Sequence, residues 1–118
     1  MKITAFISLF TLSLVCQAGD IIHPMDFTGS ENEKSQVISF IKATVQDTYS
    51  AIGMDDPLTL RTMEQEELKS FKQLTKVKNR VLLDNVIEQY CGIGMCNYNA
   101  ILMMYKEQSK AAEKELKW

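Results

Sequence analysis

Cys91 and Cys96, with four residues between them, are the side chains of this chain best placed for covalent chemistry. They flank Gly92-Ile93-Gly94-Met95. In an oxidising compartment such a pair reads first as a disulfide. A loop this short restricts the unfolded chain less than a long one, so about 1–3 kcal/mol of stabilisation is expected. A thioredoxin-like redox motif has two intervening residues rather than the four found here. A zinc site needs about four Cys, His or carboxylate ligands, and the sole histidine, His23, is remote in sequence.

Hydrolytic chemistry is equally poorly supplied. A nucleophilic triad requires histidine as its base. His23 precedes Pro24 in Asp20-Ile21-Ile22-His23-Pro24, a segment expected to be irregular. Two carboxylate pairs exist: Glu64 with Glu67, three residues apart, and the adjacent Asp55-Asp56. Acid–base hydrolysis needs carboxylates in environments that separate their pKa values. Glu64 and Glu67 sit among Gln65, Glu66 and Lys69, a pattern that reads as a solvated helix face. No glycine-rich phosphate loop and no EF-hand calcium loop is present. The sequence therefore assigns no catalytic residue, no metal ligand and no cofactor, and the chain is not read as an enzyme.

The N-terminus bears on the compartment. Met1-Lys2 is a short charged start, Ile3 to Val15 is mostly apolar, and Cys16-Gln17-Ala18 ends on a small residue. That order predicts a signal peptide over residues 1–18, cleaved after Ala18, and a periplasmic or secreted product. The apolar run is too short for a membrane span, which takes about 20 residues. The alternative is acylation at Cys16, but Ser13-Leu14-Val15 fits a bacterial lipobox poorly. What remains, residues 19–118, has the length of one small domain. Cleavage removes Lys2 and takes the formal net charge from −2 to −3. No run of basic residues marks the sequence, so nucleic acid and anionic membrane are poor partners. An acidic balance is compatible with a basic protein partner.

An internal match sets the expected architecture. Ile52-Gly53-Met54 recurs as Ile93-Gly94-Met95, 41 residues on. The same register pairs Val45 with Val86, Tyr49 with Tyr90, Leu60 with Ile101 and Met63 with Met104. This predicts two diverged helix–turn–helix units, about 30–75 and 79–117. Two copies are too few for a solenoid, so an all-α four-helix domain is expected, preceded by an irregular arm.

Local signals place the helices. Ser30 with Glu33 forms a capping box, and Val37, Ile38, Ile41, Val45 and Tyr49 follow at helical spacing. Gly53 suits a helix stop, and Asp56-Pro57 reads as an N-cap with proline in the first turn. Leu60, Met63, Leu68, Phe71 and Leu74 form the apolar face of the second helix. Asn79 and Asn97 are the candidate caps of the third and fourth. The third buries Leu82, Leu83, Val86, Ile87 and Tyr90; the fourth aligns Ile101, Met104, Tyr105, Ala112 and Leu116. No strand-like alternation bounded by hairpin turns is found.

An export signal, a small all-helical domain and a disulfide staple together resemble periplasmic immunity proteins that neutralise toxins delivered by type VI secretion. The likeness is one of size, export and architecture and assigns no residue. It implies a binding or inhibitor function, against the alternative of an accessory envelope protein such as a homodimer or holdase-like chaperone. Two features could meet a protein partner or a second copy. Leu102-Met103-Met104-Tyr105 puts large groups around a whole helical turn, more than one core stripe requires. The matching Arg61 and Thr62 of the first unit are polar, so Leu102 or Met103 is expected outside the core. The N-terminal arm, with Ile21, Ile22, Met25 and Phe27, is the competing cover for that face. Asp55, in the Met54-Asp55-Asp56-Pro57 corner, is the acid that capping leaves over. The candidate contact residues are thus Leu102, Met103, Tyr105 and Asp55.

Overall fold

The computed structural model describes residues 21–114 and 116–118, so the expected signal peptide and its cleavage point at Ala18 lie outside the described residues. Four α-helices follow a short 3-10 turn at Pro24–Asp26: α1 (Glu31–Ser50), α2 (Pro57–Leu74), α3 (Arg80–Gly92) and α4 (Tyr98–Ala112). No strand occurs among the described residues. Each helix starts where a side chain can satisfy an N–H left over in the first turn. Ser30, Asp56, Asn79 and Asn97 accept from the N–H of Glu33, Thr59, Leu82 and Ala100. Pro57 occupies the first turn of α2, where its missing N–H does no harm. The capping box of α1 closes differently from expectation. The Glu33 carboxylate accepts from the backbone N–H and hydroxyl of Thr28, which hold its pKa below the ordinary value.

The helices form two hairpins joined through their second members: α1 packs on α2, α2 on α4, and α4 on α3. α2 and α4 run in the same sense, because contacts advance together along both. Glu67 and Ser70 meet residues 98 and 99, and Gln73 meets Lys106. Tyr98 lies at the centre of the core with no exposed surface. Its ring packs edge-on against Phe40 and Phe71, and Phe71 in turn against Phe27 of the arm. Such aromatic contacts add about 0.5–1.5 kcal/mol each beyond burial.

The arm is docked. The Tyr98 hydroxyl donates to the Ile22 carbonyl at 2.9 Å, and burial raises that hydroxyl's pKa. Asp26 and Arg80 form a two-point ion pair, and Arg80 holds the Asp26 pKa down. His23 caps the 3-10 turn, its Nδ1 accepting from Met25 N–H. With Nδ1 an acceptor, Nε2 carries the proton and donates to Asp84 at 2.6 Å. His23 therefore fastens the arm to α3, a role its sequence position did not suggest.

Several expectations are corrected. Leu102 is only 5% exposed and Tyr105 is buried, so both belong to the core. Of the pair matched to the exposed Arg61 and Thr62, Met103 is the residue that lies outside the core, at 63% exposed. α4 ends at Ala112, and Leu116 lies beyond it fully exposed. Phe40 and Tyr98 are core residues that the periodic pattern omitted.

The two interhelix corners repeat one hydrogen-bond scheme. Met54 N–H bonds the Tyr49 carbonyl and Gly53 N–H the Ser50 carbonyl; Met95 and Gly94 do the same to Tyr90 and Cys91. This double bond pattern requires a left-handed residue, and Gly53 (φ 72°) and Gly94 (φ 79°) supply it. Cys91 and Cys96 are joined in a disulfide across the second corner.

Two stability outcomes follow from this packing. Leu102→Ala should cost about 2–5 kcal/mol in denaturant unfolding, while Met103→Ala should stay within about 0.5 kcal/mol of wild type. Replacing Cys91 and Cys96 together by Ser should cost about 1–3 kcal/mol and leave helical circular dichroism unchanged.

Candidate partner-binding surface

Each corner presents apolar side chains to solvent. Ile52 is 62% and Ile93 68% exposed, and Met54, Met95 and Leu58 are exposed beside them. Hydrogen bonding fixes both loops from within, so these side chains project from rigid turns rather than from loose chain. α2 and α4 share a direction, so both corners face the same way. The disulfide corner is set back beside Glu67, about 15 Å along α2 at 1.5 Å per residue. Between the two steps lies a cavity of about 90 Å³, lined in part by Tyr49, Glu66, Glu67 and Asn97.

Glu67 is the unexpected member of this surface. Sequence pattern put it on a solvated face; it is 7% exposed. Its two oxygens accept from the Tyr98 N–H at 2.7 Å and the Asn99 N–H at 3.1 Å. A carboxylate from α2 thus caps α4, where the helix dipole favours negative charge. Beside it the Ser70 hydroxyl bonds Asn99 Oδ1. Burial pushes the Glu67 carboxyl above its ordinary pKa, and the two N–H bonds pull it partly back. The spacing Leu60-Glu67-Leu74, seven and seven, was the available signal: it puts Glu67 inside the apolar stripe.

Charge divides along the same axis. Residues 43–60 and 88–100, which build the corners, contain no Lys or Arg and carry Asp47, Asp55, Asp56 and Glu88, with Arg61 of α2 between them. The lysines gather toward the opposite end, where Lys69 and Lys72 of α2 and Lys76 just after it lie alongside Lys106 and Lys110 of α4. Lys69, Lys72, Lys76, Lys78 and Arg80 already follow one another in the sequence without an intervening acid, and parallel α2 and α4 bring Lys106 beside that stretch at Gln73. Of the expected contact residues, Asp55 is exposed at the first corner and Met103 is 63% exposed on α4. Leu102 and Tyr105 are withdrawn, and the Tyr105 hydroxyl is itself occupied by the Asn79 N–H.

No protein-family model, curated protein or solved structure matches this chain. Among the described residues, no group of three or more His, Cys, Asp or Glu could hold a metal ion. No helix among them is long and apolar enough to cross a membrane.

The Glu67 burial has a pH signature. A carboxyl whose folded pKa lies above its unfolded value binds more protons folded than unfolded, so its contribution to stability falls as pH rises through that interval. Urea unfolding of wild type and Glu67→Gln at pH 4 and pH 7 should show wild type losing ground to the variant at the higher pH. An unchanged difference would mean that Glu67 titrates as an ordinary surface acid.

Proposed function

We propose that this chain is an exported protein of the bacterial periplasm that binds another protein, in the manner of an inhibitor or immunity protein. The observation that carries the reading is the matched pair of rigid corners. Both present an Ile and a Met to solvent from turns that carry no Lys or Arg of their own. Apolar groups exposed together at fixed spacing are costly unless a partner covers them. Their acidic surroundings suit a partner surface that is apolar at its centre and basic at its edge. The Lys2-to-Ala18 pattern and the Cys91–Cys96 disulfide support export and an oxidising compartment. The common hydrogen-bond scheme 41 residues apart supports descent of both hairpins from one duplicated unit.

An accessory role as a homodimer is the second reading, favoured by Met103. Methionine suits adaptable contacts, and Met103 stands alone on the outer side of α4.

The discriminating variant is Ile52→Asp with Ile93→Asp, which leaves the core and both glycine stops intact. Proteins captured from periplasmic extract by wild type should be purified and titrated against both forms. A partner specific to the corners should bind the variant at least tenfold more weakly, about 1.4 kcal/mol or more. Equal binding removes the corner reading. Sedimentation equilibrium of wild type and Met103→Asp tests the homodimer: a dimer that Met103→Asp dissociates supports it.

A further inference from the structure

On the face away from α4, α1 and α2 leave an open apolar groove. Ile38 of α1 is 45% exposed, and Leu68 of α2 is half-buried opposite it. Two cavities, of about 240 and 320 Å³, adjoin along this seam and share both side chains. Core residues Val37, Ile41 and Phe71 form the floor, and Phe27, held by the docked arm, closes one end. Cations border it. Lys34 and Arg61 are paired with Glu31 and Glu64, whereas Lys42 and Lys72 are in no ion pair among the described residues. The larger cavity is lined by Lys34 and Lys72 and by no acid; the smaller includes Glu64 beside Lys42 and Arg61.

We infer that this groove is a binding site for a free single-chain anionic amphiphile, a medium-length alkyl carboxylate. Its carboxylate would sit at Lys72 and Lys34 and its chain would run over Leu68 and Ile38 toward Ile41. Dimensions support the occupant. From Lys34 to Lys42 along α1, and from Arg61 to Lys72 along α2, the helical rise gives about 12 and 16 Å. An extended alkyl chain of about ten to twelve carbons, with ordinary carbon–carbon bonds, covers that span. Charge supports it too, because Lys72 at the end that would take the head group is in no ion pair among the described residues, and Lys34 beside it shares only the exposed Glu31. The site is independent of the corner surface and stands whether or not the corners bind a protein.

The probe is sodium dodecanoate below its micelle concentration, titrated calorimetrically into the full mature chain. Saturable one-to-one binding is expected. Ile38→Asp, at a half-exposed position that leaves the fold intact by circular dichroism, should weaken it at least tenfold. Lys72→Glu should weaken it several-fold. Dodecylamine, with the same tail and opposite charge, should bind at least tenfold more weakly. Absence of saturable dodecanoate binding overturns the inference, as does equal affinity for dodecylamine or indifference to Ile38→Asp. Co-sedimentation with phosphatidylglycerol vesicles without binding of free dodecanoate replaces it with a membrane-surface role. An acidic amphipathic peptide that binds where dodecanoate does not replaces it with peptide docking.

Discussion

The contact between Glu67 and the start of α4 is the constraint on which the arrangement turns. A helix N-terminus inside a protein presents N–H groups that must find acceptors. Asn97 satisfies one from within its own turn, and Glu67 satisfies two more from a different helix. Because the acceptor belongs to α2, the bond fixes where α4 begins along α2 as well as capping it. That register brings Tyr98 between Phe40 and Phe71 and lets its hydroxyl reach the arm at Ile22. The arm, the aromatic cluster and the relation of the two hairpins therefore share one polar contact.

The same contact explains the offset between corners. Two hairpins with equivalent turns could have met with those turns level. Capping by Glu67, rather than by a residue nearer Pro57, sets the disulfide corner back along α2. The result is a stepped surface whose two ridges carry the same Ile and Met but lie at different heights. The cavity with Glu66 and Glu67 opens between them. A partner would have to match both heights, which gives this surface a means of selectivity that a flat apolar patch lacks.

Burying a carboxylate is unfavourable unless its oxygens are satisfied, and here the site both creates and meets that demand. Removing the acid would leave the buried Tyr98 N–H and the half-buried Asn99 N–H without their protein acceptor. The Cys91–Cys96 bond holds the chain immediately before this point, so the approach to α4 is fixed covalently on one side and by hydrogen bonds on the other. The outer seam of α1 and α2 has no such closure. No further helix lies over Ile38 and Leu68, and the groove stays open for that reason.

The sequence by itself determined the local events. Ser30, Asp56, Asn79 and Asn97 cap helices because a short polar side chain reaches the N–H three residues on in any context. Gly53 and Gly94 stop helices because a left-handed residue tolerates few other side chains. The close spacing of Cys91 and Cys96 made their pairing legible for the same local reason. Tertiary structure alone decided the burial of Glu67 and Leu102, the exposure of Ile52 and Ile93, and the fastening of His23 to Asp84. Each depends on which helix lies alongside, and residues 61 and 76 apart in Asp84–His23 and Tyr98–Ile22 leave no periodic trace of their meeting. An acid in a heptad position reads as polar until the helix end that needs it is in place.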